Sequence, residues 1–202
     1  MEHNFVIAGV GGQGVILAAN TIGEAATAAG YETRVGEIHG MSQRGGSVLA
    51  HVRYGDRVYG PMVPEGKADV LLALEPMEAL RHAHYLREGG TVLVSFDTKD
   101  PFPVSTGAAE YPDQSALQAA LEDRGQVLRV EAVDLAREAG HPMTANVVMV
   151  GALSALVDLD LDPATLVDAI ESQVPADALD ANVTAFELGR SAVDSRSRPL
   201  AP

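Results

Sequence analysis

The chain has 202 residues, a formal net charge of −14, 47% hydrophobic and 4% aromatic residues, and no Cys. So acidic a surface repels phosphate backbones and argues against nucleic-acid binding as the main function. Without Cys there is no disulfide, no thiol nucleophile and no Cys ligand for an iron–sulfur cluster.

In chain order, "FVIA" (5–8) is a short apolar run expected as a buried parallel strand. A glycine cluster follows, then an Ala-rich helix over 15–29 that Gly30 ends. Residues 31–35 are expected as a second strand, and "SVLAHVR" (47–53) alternates with period two. The "YGDR" turn into "VYG" then predicts a β-hairpin insertion. "ADVLLAL" (68–74) is a further buried strand. Pro76 opens a helix, "PMEALRHAHYLR", that stops at Gly89 and Gly90. "TVLVSF" is a strand, "PFPVSTG" a Pro-broken connection with an expected edge strand, 113–124 a helix and "QVLRVEA" a strand. A short helix, "DLAREAG", precedes a buried one, "HPMTANVVMVGALSALVDL", whose start Pro142 and Thr144 mark. "DPATLVDAIESQV" opens on an Asp–Pro helix start, and an amphipathic segment over 176–193 follows. The expected fold is α/β: a Rossmann-like, mostly parallel sheet with flanking helices and a hairpin insertion. No repeat or linker interrupts it. One domain is expected over 1–193, with a disordered polar tail over 194–202.

Gly9, Gly11 and Gly14 satisfy G-x-G-x-x-G between a predicted strand and a predicted helix. Three readings stay open. The loop can hold a dinucleotide, with Glu32 or Glu37 as ribose acceptor. It can hold the phosphate of another ligand. Or its glycines only let helix and sheet pack closely. Against a dinucleotide stand the extra Gly12 with Gln13, and a second strand that leads into a polar, Gly-rich segment where a crossover helix belongs. That segment sets Met41, Ser42, Gln43, Arg44, Gly45 and Gly46 in a row.

Other residues invite bland readings. His82 and His84 are two apart on a predicted helix and face different ways, which argues against metal ligation. His51 reads as a packed or interfacial imidazole rather than a base, Glu75 as a helix start or a ligand contact at a strand end, and Asn146 as a turn cap or a core hydrogen-bonding residue. Met41 reads as a gap filler, and His39 carries no role. Only Lys67 and Lys99 are lysines. Excess acid with scarce Lys points to a halophilic protein, or to a merely acidic one from an ordinary cytosol. No apolar stretch reaches the about 20 residues that span a bilayer, and no charged segment leads an apolar one at the N-terminus. A cytoplasmic location is expected.

"IAGVGGQGV" (7–15) followed by "GEIHGMSQRGGSVLAHVRYG" (36–55) resembles the gamma-type subunits of 2-oxoacid:ferredoxin oxidoreductases, most nearly the indolepyruvate type, where this is the small, beta subunit. "ADVLLALEPMEALR", "NVVMVGAL" and "VPADALDANVTAFELG" extend the likeness to about residue 189. The resemblance implies a subunit that is inactive alone. Its large partner would carry thiamine diphosphate and the iron–sulfur clusters, decarboxylate a 2-oxoacid to an acyl-CoA and pass electrons to ferredoxin. It also implies that this domain serves the coenzyme A side. Gly9, Gly11, Gly12, Gln13 and Gly14, with Ser42, Gln43, Arg44, Gly45 and Gly46, would form the cofactor-binding surface. No residue is assigned to catalysis or to a metal. An NAD(P)-dependent dehydrogenase and a purely structural assembly subunit are the alternatives.

Overall fold

The structure, a computed structural model, describes residues 2–39, 45–97, 111–156 and 159–197. Among them are six strands: β1 (Glu2–Val10), β2 (Glu32–His39), β3 (Ser47–Gly55), β4 (Ala68–Ala73), β5 (Leu86–Ser95) and β6 (Gln126–Val130). The helices are α1 (Val15–Ala28), α2 (Pro76–His82), α3 (Gln114–Glu122), α4 (Ala132–Glu138), α5 (Ala145–Leu156), α6 (Pro163–Gln173) and α7 (Leu179–Ser197). Tight 3-10 turns lie at Ala83–Tyr85, Pro142–Thr144 and Ala176–Ala178.

The strands form one sheet in the order β2-β3-β1-β4-β5-β6. Neighbours β1/β4, β4/β5 and β5/β6 run parallel, whereas β3 is antiparallel to both β1 and β2. The expected α/β fold is therefore present as a mixed sheet. The hairpin differs from expectation: residues 58–60 form no strand, and β3 turns back on β2, with Thr33 opposite Tyr54 and His39 opposite Val48. Period-two alternation identifies a strand but not its partner, which long-range pairing chooses. β2 also runs on to His39 and absorbs residues 36–39.

Sequence chemistry accounts for the helix starts. Asp162 accepts from the Ala164 amide at 2.9 Å with Pro163 in the first turn, and Asp113 accepts from Ser115 at 3.0 Å. The helix expected to run from Pro76 to Gly89 ends at His82, because β5 begins at Leu86. Leu86 pairs with Ala68, the register then slips, and Thr91 pairs with Val70. Gly89, at φ 70°, sits within that bulge. α7 continues to Ser197, beyond the expected boundary at 193, and the "PFPVSTG" edge strand lies outside the described residues.

One face of the sheet packs against α1, α4, α5, α6 and α7, and the other against α2 and α3. α5 is apolar on all sides, with Asn146 through Leu153 buried, as a central helix must be. It crosses α7 in backbone contact. A Cβ on Gly151 would lie 2.0 Å from the Phe186 carbonyl oxygen, and one on Gly189 would lie 1.9 Å from that of Val148. No helix among the described residues is long and apolar enough to cross a membrane.

Either Gly151→Ala or Gly189→Ala forces these helices apart. We expect each to cost at least about 1–3 kcal/mol, read as a thermal midpoint lowered by several degrees.

Candidate functional site at the sheet switch point

β1 ends at Val10, the glycine loop turns, and α1 begins at Val15. Chain order reverses here: α1 leaves β1 toward one face, whereas α2 leaves the neighbouring parallel strand β4 toward the other. Open α/β sheets bind ligands in the crevice this leaves at the carboxyl ends of the strands. Gly12 and Gly14 have φ of 94° and 83°, where a side chain is strained. A Cβ on Gly9 would lie 2.8 Å from Val15 and 3.2 Å from Leu74. Gly9 therefore permits close packing of strand and helix.

Gln13 is a strut. Its Oε1 accepts from the Val10 amide at 2.7 Å, and its Nε2 donates to the Leu74 carbonyl at 2.9 Å. The side chain thus ties the loop to itself and to the end of β4. Asn146 supports the loop from behind, with Nδ2 3.3 Å from the Gly14 carbonyl.

The second glycine segment meets the first. The Gly11 amide donates to the Gly46 carbonyl at 2.8 Å, and the Gly45 amide lies 3.5 Å from the Gly11 carbonyl. Gly9, Gly11, Gly12, Gln13, Gly14, Gly45 and Gly46 are thereby gathered at one point of the sheet. Ser42, Gln43, Arg44 and Met41 lie outside the described residues.

Two cavities flank Gly12. One of about 330 Å³ is lined by Gly11, Gly12, Gly14, Ile16, Glu37 and Val48. The other, of about 220 Å³, reaches Gln13, Ser95, Asp97, Val133 and Met143. Of the two ribose-acceptor candidates, Glu37 lines the first cavity, whereas Glu32 lies at the far end of β2, paired with Arg34 at 2.7 Å. Asp97, two residues past β5, accepts from Ser95 Oγ at 2.6 Å and from the Val133 amide at 3.0 Å. Asp97 lies outside the sequence-derived candidates, although an acid just beyond a buried strand is a usable signal.

Glu75 is fully buried and caps α2, accepting from the Glu78 amide at 2.8 Å and from the Tyr111 hydroxyl. Burial pushes its carboxyl above the usual range. Ser47, Glu78 and His82 form a polar cluster on the α2 side that sequence reasoning missed, since contacts across α2 and β3 leave no trace in sequence spacing. His51 is buried nearby, accepts from the Val63 amide at 3.3 Å through Nδ1 and has no partner on Nε2. Burial first, then the charges of His82 and Arg53, lower it to about 4. His82 and His84 both contact the Tyr85 ring. No group of three or more His, Asp or Glu suited to a metal ion occurs among the described residues.

Residues 4–192 match the model of the pyruvate ferredoxin/flavodoxin oxidoreductase family, and the chain belongs to that family. It is 50% identical over 190 residues to the indolepyruvate oxidoreductase subunit IorB of Pyrococcus horikoshii, covering 93% of this chain and 94% of that one. Its fold is similar to the gamma subunit of a keto/oxoacid ferredoxin oxidoreductase from Geobacter sulfurreducens, with a TM-score of 0.71, 25% identity, and coverage of 96% and 99%. It is also similar in fold to part of the 2-oxoglutarate:ferredoxin oxidoreductase of Magnetococcus marinus, a structure with 2-oxoglutarate, coenzyme A and succinyl-CoA bound. That TM-score is 0.74 at 19% identity, over 96% of this chain and 31% of the other.

Gln13→Ala leaves the Val10 amide and the Leu74 carbonyl without their partner, and we expect a loss of about 1–3 kcal/mol in denaturant unfolding. Stability also depends on pH through His51. The folded imidazole titrates at about 4 against 6.5 for an ordinary one. The unfolded chain therefore binds more protons as pH falls through 6.5, and stability drops until about pH 4, by about 3 kcal/mol in total. His51→Gln should flatten that acid limb in urea titrations at stepped pH. An unchanged limb would remove His51 as its source.

Proposed function

We propose that this chain is the small subunit of an indolepyruvate-type 2-oxoacid:ferredoxin oxidoreductase and that its paired glycine segments hold the phosphate end of coenzyme A. One observation carries the reading: the hydrogen bond from Gly11 to Gly46, which joins the two motif segments beside a cavity at the sheet switch point. Backbone amides at a tight turn before a helix favour an anion, and few side chains intrude there. Arg44, next in sequence to Gly45, would bring a permanent positive charge to this segment of a chain whose net charge is −14. The coenzyme A named for the Magnetococcus structure supports the assignment.

Thiamine diphosphate, the iron–sulfur clusters and ferredoxin docking belong to the large partner in this reading. A chain without Cys has no thiolate to offer a cluster. The reaction converts the 2-oxoacid anion and coenzyme A to acyl-CoA, carbon dioxide and a proton, with two electrons passing to ferredoxin. A nicotinamide dehydrogenase fits less well, because β2 returns directly through β3 instead of leading to a crossover helix.

Co-expression with the large subunit tests the proposal. The complex should oxidise indolepyruvate with coenzyme A and ferredoxin, and the isolated chain should not. Arg44→Ala should raise the KM for coenzyme A by about tenfold or more, the size of a lost charge-assisted hydrogen bond. Turnover by the chain alone would overturn the subunit reading. An unchanged KM in Arg44→Ala would favour a purely structural assembly role.

A further inference from the structure

We propose that Glu78 is a positioning residue for this cradle, setting the start of β3, through the Ser47 hydroxyl, against the glycine loop. The inference rests on reading the paired glycine segments as the coenzyme A phosphate site. Glu78 is 3% exposed, and its Oε2 accepts from Ser47 Oγ at 2.5 Å. Arg81 Nε lies 3.2 Å from Oε1, and His82 Nε2 lies 3.5 Å from Oε2. Burial alone would raise this carboxyl, but the His82 and Ser47 hydrogen bonds and the Arg81 charge hold it below the usual range. Glu78 is thus a charged acceptor committed to Ser47.

Ser47 is the first residue of β3, opposite Val10, the last of β1. The residue before it, Gly46, offers its carbonyl to Gly11, and Gly45 reaches back to the same residue. A continuous path therefore runs from α2 through Glu78, Ser47 and Gly46 to Gly11. Ser47 shares its face of β3 with Leu49, which packs in the α2-side core, while Val48 and Ala50 pack on the α1 side. Glu78 thus grips the loop from the face opposite α1.

A Ser–His–Glu assembly invites a hydrolytic reading, and its geometry refuses it. Ser47 and Glu78 both approach His82 Nε2, at 3.4 and 3.5 Å, while His82 Nδ1 is buried without a partner. A relay needs the carboxylate on one ring nitrogen and the hydroxyl on the other. Here the serine proton points to the carboxylate.

The test uses the assembled complex. Ser47→Ala and Glu78→Leu should each raise the KM for coenzyme A about tenfold, with kcat at saturating coenzyme A and the KM for the oxoacid unchanged. The double variant should be no worse than either single one, because both break one link. Glu78→Gln, which keeps an acceptor for Ser47, should restore most of the affinity. An unchanged KM for coenzyme A in Ser47→Ala overturns the proposal, and that small exposed substitution keeps the test decisive if Glu78→Leu fails to assemble. Additive effects, or equal loss of kcat and affinity for both substrates, overturn it too. If Arg44→Ala raises the KM while Ser47→Ala does not, only this inference fails. If neither does, the phosphate-site reading fails with it.

Discussion

The hydrogen bond from the Gly11 amide to the Gly46 carbonyl is the constraint on which the site depends. It joins the two glycine segments backbone to backbone. They also demand dihedral angles that ordinary residues resist, as the φ values of Gly12, Gly14 and Gly45 show. Glycine is therefore favoured at Gly12 and Gly14 on one segment and at Gly45 on the other. The remaining polar groups serve the same geometry: Gln13 bridges the loop to β4, and Asn146 holds Gly14 from the core.

That contact exists because β3 runs backward between β2 and β1. A crossover helix after β2 would carry the chain away from the carboxyl ends of the strands. The reversal instead starts β3 beside the end of β1 and places the second glycine pair against the first. The cost is a carboxylate buried on the α2 side, offset by Ser47, Arg81 and His82. The chain belongs to the pyruvate ferredoxin/flavodoxin oxidoreductase family and contains no Cys with which to hold an iron–sulfur cluster.

Much of this was legible in the sequence because its causes are local. Glycines at fixed spacing announce a tight turn, Asp–Pro announces a helix start at residue 162, and a nearly continuous apolar run announces the central helix α5. What the sequence hid depends on distant pairing. The alternation of "SVLAHVR" held no information on which strands would flank it. Glu78 and His82 looked like ordinary polar helix residues, since nothing in their spacing reveals that Ser47 lies across from them. The bulge at Gly89 and Gly90 read as a helix stop because glycine pairs serve both purposes. Ser42, Gln43 and Arg44 draw their assignment from sequence alone.

The most direct measurement of the central claim is an experimental structure of the complex with coenzyme A. The account predicts a phosphate oxygen within about 3 Å of the Gly12 or Gly14 amide, since the Gly11 and Gln13 amides donate to Gly46 and Val10, with Arg44 on the same phosphate. Coenzyme A seated wholly on the large subunit, with the glycine segments touching only protein, would contradict it.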